Sequence, residues 1–104
     1  MANPASTMVM TVLEAEVAEE ASAALESQFR LKTAGGLPPG LVQSFLVRGE
    51  GAPATWRIVS IWESGEALAR MRGSGETPAG VLMFRAAGAE PRLAVFDVLA
   101  NPRR

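Results

Sequence analysis

The chain has 104 residues, 48% of them hydrophobic, and a formal net charge of −1. These values predict one globular domain, and a nearly neutral chain with Lys32 as its only lysine gives no electrostatic reason to expect nucleic acid or an anionic membrane as a partner. Because cysteine and histidine are absent, disulfides, thiol catalysis, a Ser-His pair, zinc sites built on these residues and His-ligated haem iron are excluded.

The first half of the chain predicts a strand, a helix and a second strand. Residues 1–7 are expected to form a flexible leader, and they lack the basic region of a secretion signal. Apolar alternation predicts a strand over 8–17, and apolar residues at helical spacing predict a helix over 18–34. Two glycines at 35 and 36 end this helix. Residues 41–48 then predict the second strand.

In the second half the spacing of the hydrophobic residues changes from that of a strand to that of a helix. Residues 55–63 predict the third strand, and Ser64 is the expected N-cap of a helix that continues to about residue 71. A further helix is expected from Thr77-Pro78 to about residue 87, with the proline in its first position. Residues 92–99 predict the last strand and residues 100–104 a tail.

This order of elements predicts an α+β fold of the ferredoxin-like, split βαβ type over residues 8–99. Such a fold has a four-stranded antiparallel sheet with its helices on one face. No apolar run approaches the length that spans a membrane, so a cytoplasmic protein is expected.

The predicted sheet is apolar on both faces. In the third strand the even-numbered residues Trp56, Ile58 and Trp62 belong to one face of the sheet, and the odd-numbered Val59 and Ile61 belong to the other. Two helical segments cover only one face, and exposing the other would leave a large apolar patch in water. The sequence therefore predicts a homodimer that joins two sheets in a barrel-like core. The alternative is a loop that covers the second face.

The segment Trp56-Arg-Ile-Val-Ser-Ile-Trp62-Glu-Ser-Gly-Glu-Ala-Leu resembles the antibiotic biosynthesis monooxygenase domain family. In that family the third strand ends in a W-x-S type motif that precedes a helix, and the resemblance covers residues 8–99 in element order. It implies a dimeric α+β barrel in which the tryptophan that matches Trp62 lines a pocket between sheet and helices. Some members are cofactor-free oxygenases of anthrone-type phenols, and others degrade haem.

The chain departs from both active patterns of the family. Haem-degrading relatives use a histidine on the second helical segment and an asparagine in the first strand, and neither is present here. Phenol-oxidising relatives use an asparagine, a tyrosine and an arginine with the tryptophan. The chain has no tyrosine, and its two asparagines, Asn3 and Asn101, lie in the tails. Only Trp62 is carried over from these patterns.

The candidate substrate-binding residues are apolar and lie on the elements that should enclose the pocket. For each of them, ordinary core packing is the competing interpretation. They are Trp62, Phe29, Phe84 and Met71.

The candidate catalytic residues are Arg72, Arg85 and Asp97. Either arginine could stabilise an enolate or phenolate oxygen, and solvated surface arginine is the alternative for both. Asp97 is the only aspartate, lies between Phe96 and Val98, and would be a better base if it were partly buried. A charge at the barrel rim is its alternative.

These residues lead to a functional hypothesis that needs no cofactor and no metal. The protein is expected to bind a planar hydrophobic small molecule, and to oxygenate a phenolic or quinone-type substrate. The alternatives are a non-catalytic binding or interaction protein on the same scaffold, and an isomerase that uses a carboxylate.

Overall fold

The computed structural model describes residues 7–104, so most of the predicted leader, residues 1–6, lies outside the described residues. The elements, in chain order, are β1 (Val9–Val17), α1 (Glu19–Thr33), β2 (Leu41–Arg48), β3 (Ala54–Trp62), α2 (Gly65–Gly73), α3 (Ala79–Ala86) and β4 (Arg92–Asp97). The predicted order is confirmed, and most bounds shift by only one or two residues. Helix α3 begins one residue after Pro78, which is its N-cap.

The four strands form one antiparallel sheet in the order β2-β3-β1-β4. Strands β1 and β2 are joined through α1 but are separated in the sheet by β3, which makes the fold the predicted split βαβ arrangement. Residues of α1 and α3 pack on one part of the sheet and residues of α2 on another, all on the face that carries Trp56 and Trp62. We call this the helix face and the opposite side the open face.

A bulge in β2 changes which of its residues lie on which face. The pairing shifts between Leu41 and Gln43, so Leu41 pairs with Trp62 while Ser44 pairs with Ser60. Leu41 therefore lies on the helix face and Phe45 on the open face, although simple alternation would place both on one face, because the extra residue reverses the alternation. The helix face of β2 consequently carries a serine between two leucines, Leu41 and Leu46.

The junction between β3 and α2 follows the prediction. The hydroxyl of Ser64 accepts a hydrogen bond from the Ala67 N–H at 3.1 Å, as an N-cap does. The loop before β2 is attached to the same point, because the Glu63 N–H donates to the Gly40 carbonyl at 2.9 Å. These two contacts fix the direction in which the chain leaves Trp62.

The open face carries an apolar surface that is bordered by one ion cluster. Glu14 of β1 accepts hydrogen bonds from Arg57 of β3 at 2.6 Å and from Arg92 of β4 at 2.8 Å. Apolar residues from all four strands lie beside this cluster on the side of Val12, whereas Glu16 and Thr55 follow it on the other side. In the single chain several of these apolar residues are exposed by 40% or more. The register assigns to this face Met10, Val12, Phe45, Val47, Val59, Ile61, Ala94 and Phe96.

The ion cluster predicts a loss of stability in acid. The hydrogen bonds from Arg92 and then from Arg57 hold the pKa of Glu14 below its ordinary value. A carboxyl with a lower pKa in the folded state stabilises the fold above its unfolded pKa, about 4.3, and this contribution is lost as the pH falls through the folded pKa. We expect the free energy of unfolding, measured with urea at fixed protein concentration, to fall below about pH 4.3.

The matched variants are Glu14→Gln and Glu26→Gln. The first should flatten this acid limb, because glutamine does not titrate. Glu26 pairs with Arg30 on the exposed surface of α1, where an ion pair contributes little, so Glu26→Gln should keep the wild-type profile. An unchanged acid limb in Glu14→Gln would contradict the assignment.

Candidate functional site

A cavity of about 490 Å³ lies between the helix face of the sheet and the helices. Its lining comes from every helix and from all four strands, together with the loop that follows α1. The wall is mainly apolar, with residues such as Leu13, Ile58 and Leu68. A second depression is lined by residues of α1, β2 and β3 only, namely Glu26, Phe29, Arg30, Thr33, Leu46, Arg48 and Trp56. Its three charged side chains are exposed, so the first cavity is the candidate site.

Trp62 lines this cavity at the end of β3 and is 5% exposed. Its indole Nε1–H donates to the hydroxyl of Thr11 on the neighbouring strand at 3.1 Å. Its other neighbours are apolar, including Val9 of β1 and Leu68 of α2. The ring is therefore held by packing and by one directional contact, and it has little freedom to turn.

Three hydroxyls cross the helix face in one row, on adjacent strands. Ser44 of β2 pairs with Ser60 of β3, and Ser60 pairs with Thr11 of β1. The two serine hydroxyls are 3.1 Å apart and share one hydrogen bond. All three residues line the cavity, and Thr11 and Ser60 are each only 9% exposed. We call these residues the hydroxyl row.

The hydroxyl row lies where the core is divided. On one side the larger cluster contains Trp56, Ile58 and Phe84, and on the other the smaller cluster contains Trp62 and Leu68. Polar side chains at the centre of a helix-covered sheet are costly to bury unless they have hydrogen-bond partners. The row lines the cavity, so these polar groups form its buried floor and do not belong to either apolar cluster.

Charged residues that line the cavity are exposed and form its rim. Arg85 donates three hydrogen bonds to Glu90, from Nε to Oε2 at 3.0 Å and to Oε1 at 3.3 Å and from Nη2 to Oε1 at 2.9 Å. This pairing raises the pKa of Arg85 and lowers that of Glu90, in both cases chiefly through the hydrogen bonds. Lys32, Arg72 and Glu76 also line the cavity. No ion pair of these three is present among residues 7–104.

The structure brings together most of the sequence-predicted site residues. Trp62, Phe29, Met71, Arg72 and Arg85 all line the cavity. Two predicted residues do not. Phe84 is 0% exposed in the larger core cluster, and Asp97 is an exposed residue at the end of an edge strand.

In the single chain Asp97 has the exposed position of the alternative interpretation, a charge at the rim of the sheet. All six residues of β4 are exposed, because β4 lies at the edge of the sheet beside β1 and the helices do not cover it. The alternation of Asp97 with apolar neighbours indicates a strand but carries no information on whether a helix lies above it.

The model of the antibiotic biosynthesis monooxygenase family matches residues 8–81, which is more than half of the chain and includes Trp62, the hydroxyl row and α2. The chain belongs to the antibiotic biosynthesis monooxygenase family. No curated protein is significantly similar to it in sequence.

Solved structures with the same fold include members of this family. SnoaB of Streptomyces nogalater, a cofactor-independent oxygenase, is 19% identical over 91% of this chain and 96% of its own, with a TM-score of 0.67. A haem-degrading protein of Mycobacterium tuberculosis is 26% identical over 94% of this chain and 99% of its own, with a TM-score of 0.65. A Nitrosomonas europaea protein of unknown function is 19% identical over 96% and 97%, with a TM-score of 0.64. At these identities the structures support the fold and not a shared substrate.

Sequence reasoning missed the hydroxyl row. Ser60 could have been found, since it lies two residues before Trp62 and therefore on the same face of β3. Thr11 lies two residues after Val9 and therefore on the same face of β1, so it could have been added to the row once β1 was paired with β3. Ser44 could not be assigned, because the bulge before it reverses the parity of β2. Glu76 and Glu90 were also missed, since both lie in irregular segments.

The second tryptophan occupies a different environment. Trp56 is 3% exposed in the larger core cluster and does not line the cavity. Its indole N–H has no hydrogen-bond partner among the described residues, while the Arg48 guanidinium lies 5.6 Å from the ring centroid. Trp56 is therefore a core residue at the far end of β3, and its fluorescence can be separated from that of Trp62.

No helix among residues 7–104 combines the length and the apolar character needed to cross a membrane. The same residues contain no group of three or more Asp or Glu side chains arranged to hold a metal ion.

Proposed function

We propose that the protein is a homodimeric barrel that binds a planar, hydrophobic phenolic or quinone-type molecule in the cavity beside Trp62, and that it oxygenates this molecule without a cofactor. The observation that carries the proposal is the cavity itself, which has a mainly apolar wall, a rigidly held indole and a small polar floor. Such a combination is typical of sites for small aromatic ligands. SnoaB, a cofactor-independent oxygenase with the same fold, supports the choice of reaction.

The proposed reaction is the conversion of an anthrone-type CH₂ group into a carbonyl. A base removes one proton from this carbon, and the resulting carbanion transfers an electron to O₂. The carbon–oxygen bond then forms to give a peroxide, which loses water and leaves the quinone. Substrate and O₂ thus yield quinone and water, and the electrons come from the substrate, so no separate reductant is consumed.

The residues at the rim suggest how the chain would assist this reaction. Arg72 is better placed than Arg85 to hold the substrate anion, since the Arg85 guanidinium is already bound by Glu90. Glu76 lines the cavity and replaces Asp97 as the carboxylate that we propose as base. Electrostatic stabilisation of the anion is the largest contribution that a protein can make to such a step.

Haem does not fit the residues that line this cavity. The haem-degrading relative of known structure raises this question, but the chain has no histidine, cysteine or tyrosine to serve as an axial ligand. The only soft donors in the lining are the thioethers of Met71 and Met83. We therefore assign no role to haem, and we propose a function that needs no metal.

The open face supports the proposed homodimer. Phe45, Val47 and Phe96 are 42%, 41% and 51% exposed in the single chain, and they belong to an apolar surface that extends over all four strands. A second copy would cover this surface with the same surface, as two-fold symmetry requires. The two sheets would then enclose the core of a dimeric α+β barrel. A cytoplasmic location is part of the same proposal.

One observation favours the alternative of a non-catalytic binding protein on the same scaffold. The carboxylates that line the cavity are both exposed rim residues, Glu76 and Glu90. A ligand that reaches the hydroxyl row would lie deeper than either of them. The experiment must therefore separate binding from turnover.

Fluorescence of single-tryptophan variants tests binding. In Trp56→Phe only Trp62 reports, and 1,4-naphthoquinone should quench it in a saturable manner. In Trp62→Phe only Trp56 reports, and its emission should change little because it lies outside the cavity. Oxygen uptake by the wild-type protein with anthrone tests turnover. Saturable quenching without oxygen uptake would establish the non-catalytic alternative, and the absence of both would reject the proposal.

A further inference from the structure

Two hydroxyl hydrogens of the hydroxyl row have no acceptor among residues 7–104, one on Thr11 and one on the Ser44–Ser60 pair. A hydroxyl donates one hydrogen bond and can accept two. Thr11 accepts from the Trp62 N–H, so its own O–H is left to donate elsewhere. Ser44 and Ser60 share one hydrogen bond, so one O–H of that pair is also left. No further side-chain hydrogen bond of these residues occurs within residues 7–104.

The spacing of Thr11 and Ser60 suits one acceptor atom. They are directly paired residues on adjacent antiparallel strands, on the same face, and such pairs have Cα atoms about 4.5–5.5 Å apart. An oxygen placed between their hydroxyls can be about 2.7 Å from each, which is the usual length of an O–H···O hydrogen bond. Both residues lie on the cavity floor and are only 9% exposed, so water competes poorly there.

We propose that Thr11 and Ser60 are the specificity-determining pair of the cavity, and that together they donate to a single carbonyl or phenolate oxygen of the ligand. Trp62 is a positioning residue in this arrangement. Its N–H occupies one acceptor site of Thr11 and directs the Thr11 hydrogen away from the indole, while its ring lines the space that the ligand would fill. The ligand would enter with one oxygenated edge towards the sheet and its hydrocarbon body against the apolar wall.

This inference rests on the proposed function, since it requires that a planar aromatic molecule enters the cavity. It also specifies where the ligand carries its polar group. An acceptor oxygen is required at the buried edge, so a quinone should bind better than a hydrocarbon of the same shape. The pair would also stabilise an oxygen that gains negative charge as a substrate carbon is deprotonated.

Calorimetric titration with 1,4-naphthoquinone and with naphthalene tests the inference. The two probes share their ring system and differ in the carbonyl oxygens. The wild-type protein should bind the quinone about tenfold or more tightly, which corresponds to about 1.4 kcal/mol. The absence of cysteine removes the thiol addition that complicates quinone titrations.

Two single substitutions in the row should differ in their effect. Ser60→Ala removes one of the paired donors, so binding of 1,4-naphthoquinone should weaken about tenfold while naphthalene binding is unchanged. Ser44→Ala frees the Ser60 hydroxyl from its partner and leaves the Thr11–Ser60 pair intact, so it should stay within about twofold of wild type. The exposed Ser27 of α1 provides a control outside the cavity, Ser27→Ala.

The outcomes separate this inference from the function on which it rests. If the wild-type protein binds neither probe, the proposed function fails. If it binds both equally, or if Ser60→Ala weakens both equally or neither, the cavity is an aromatic site and the hydroxyl pair has no selective role. A larger loss in Ser44→Ala than in Ser60→Ala would also overturn the assignment, because Ser44 would then be the contact residue.

Discussion

Replacing Phe96 by lysine should convert the proposed homodimer into a monomer and raise the dimer dissociation constant at least about a hundredfold. Phe96 pairs with Met10 on the open face and is 51% exposed in the single chain, so the protomer itself tolerates a long polar side chain there. In an isologous interface each substitution enters twice, and burial of an unpaired ammonium group costs several kcal/mol. Sedimentation velocity over a range of protein concentrations measures the effect.

Leu31→Lys is the matched control for this experiment. Leu31 lies on α1, is 70% exposed, and is remote from the open face, so the same new charge should leave the dimer intact. Phe45→Lys, at the opposite edge strand of the open face, should behave like Phe96→Lys. If both open-face variants sediment as the wild-type dimer does, the interface lies elsewhere. A wild-type monomer at micromolar concentration would refute the dimer altogether.

Gly40→Ala should be strongly destabilising, with a loss of about 3 kcal/mol or more in the free energy of unfolding. Gly40 has φ +86, a left-handed conformation, and a Cβ built on it would lie 2.7 Å from the Cβ of Ala67. Ala67 is 3% exposed and its methyl group cannot rotate away. The thermal midpoint should fall by about 10–20 °C.

Two other glycines separate the two causes of this loss. Gly36 has φ +105, and a Cβ added there would meet no atom within 4 Å, so Gly36→Ala should incur only the backbone strain, about 1–2 kcal/mol. Gly73 lies at the end of α2 with open space around it and no positive φ, so Gly73→Ala should be neutral or slightly stabilising. A Gly40→Ala variant as stable as Gly36→Ala would show that the contact with Ala67 relaxes without cost.

The consequence of Gly40→Ala should extend to the cavity. Gly40 accepts the Glu63 N–H, and Glu63 directly follows Trp62 at the start of the turn into α2. Displacement of this loop would move the segment that includes Leu41, which lines the cavity and is paired with Trp62 on the neighbouring strand. The tight contact at Gly40 therefore links the stability of the fold to the shape of the site.

Local patterns in the sequence were sufficient to predict the order of the elements and the fold. The period change after Trp62, the N-cap at Ser64 and the glycines after α1 are local signals, since each depends on the dihedral angles and hydrogen bonds of a few neighbouring residues. The apolar parity of β3 also predicted the two apolar faces of the sheet correctly. Trp62 could be placed at a pocket because it lies at a strand-to-helix junction, which is also a local signal.

The composition of the cavity depended on the tertiary structure. The hydroxyl row consists of residues from three strands that are far apart in the chain, and their alignment depends on strand pairing and on a bulge in β2 that no local pattern marks. For a related reason, the sequence could not decide between the two interpretations given for Asp97 and for Phe84. Alternation identifies a strand, and helical spacing identifies an apolar side of a helix, but neither specifies which part of the sheet a helix covers. That is decided by the packing of all the elements together, which closes the core over Phe84 and leaves β4 exposed.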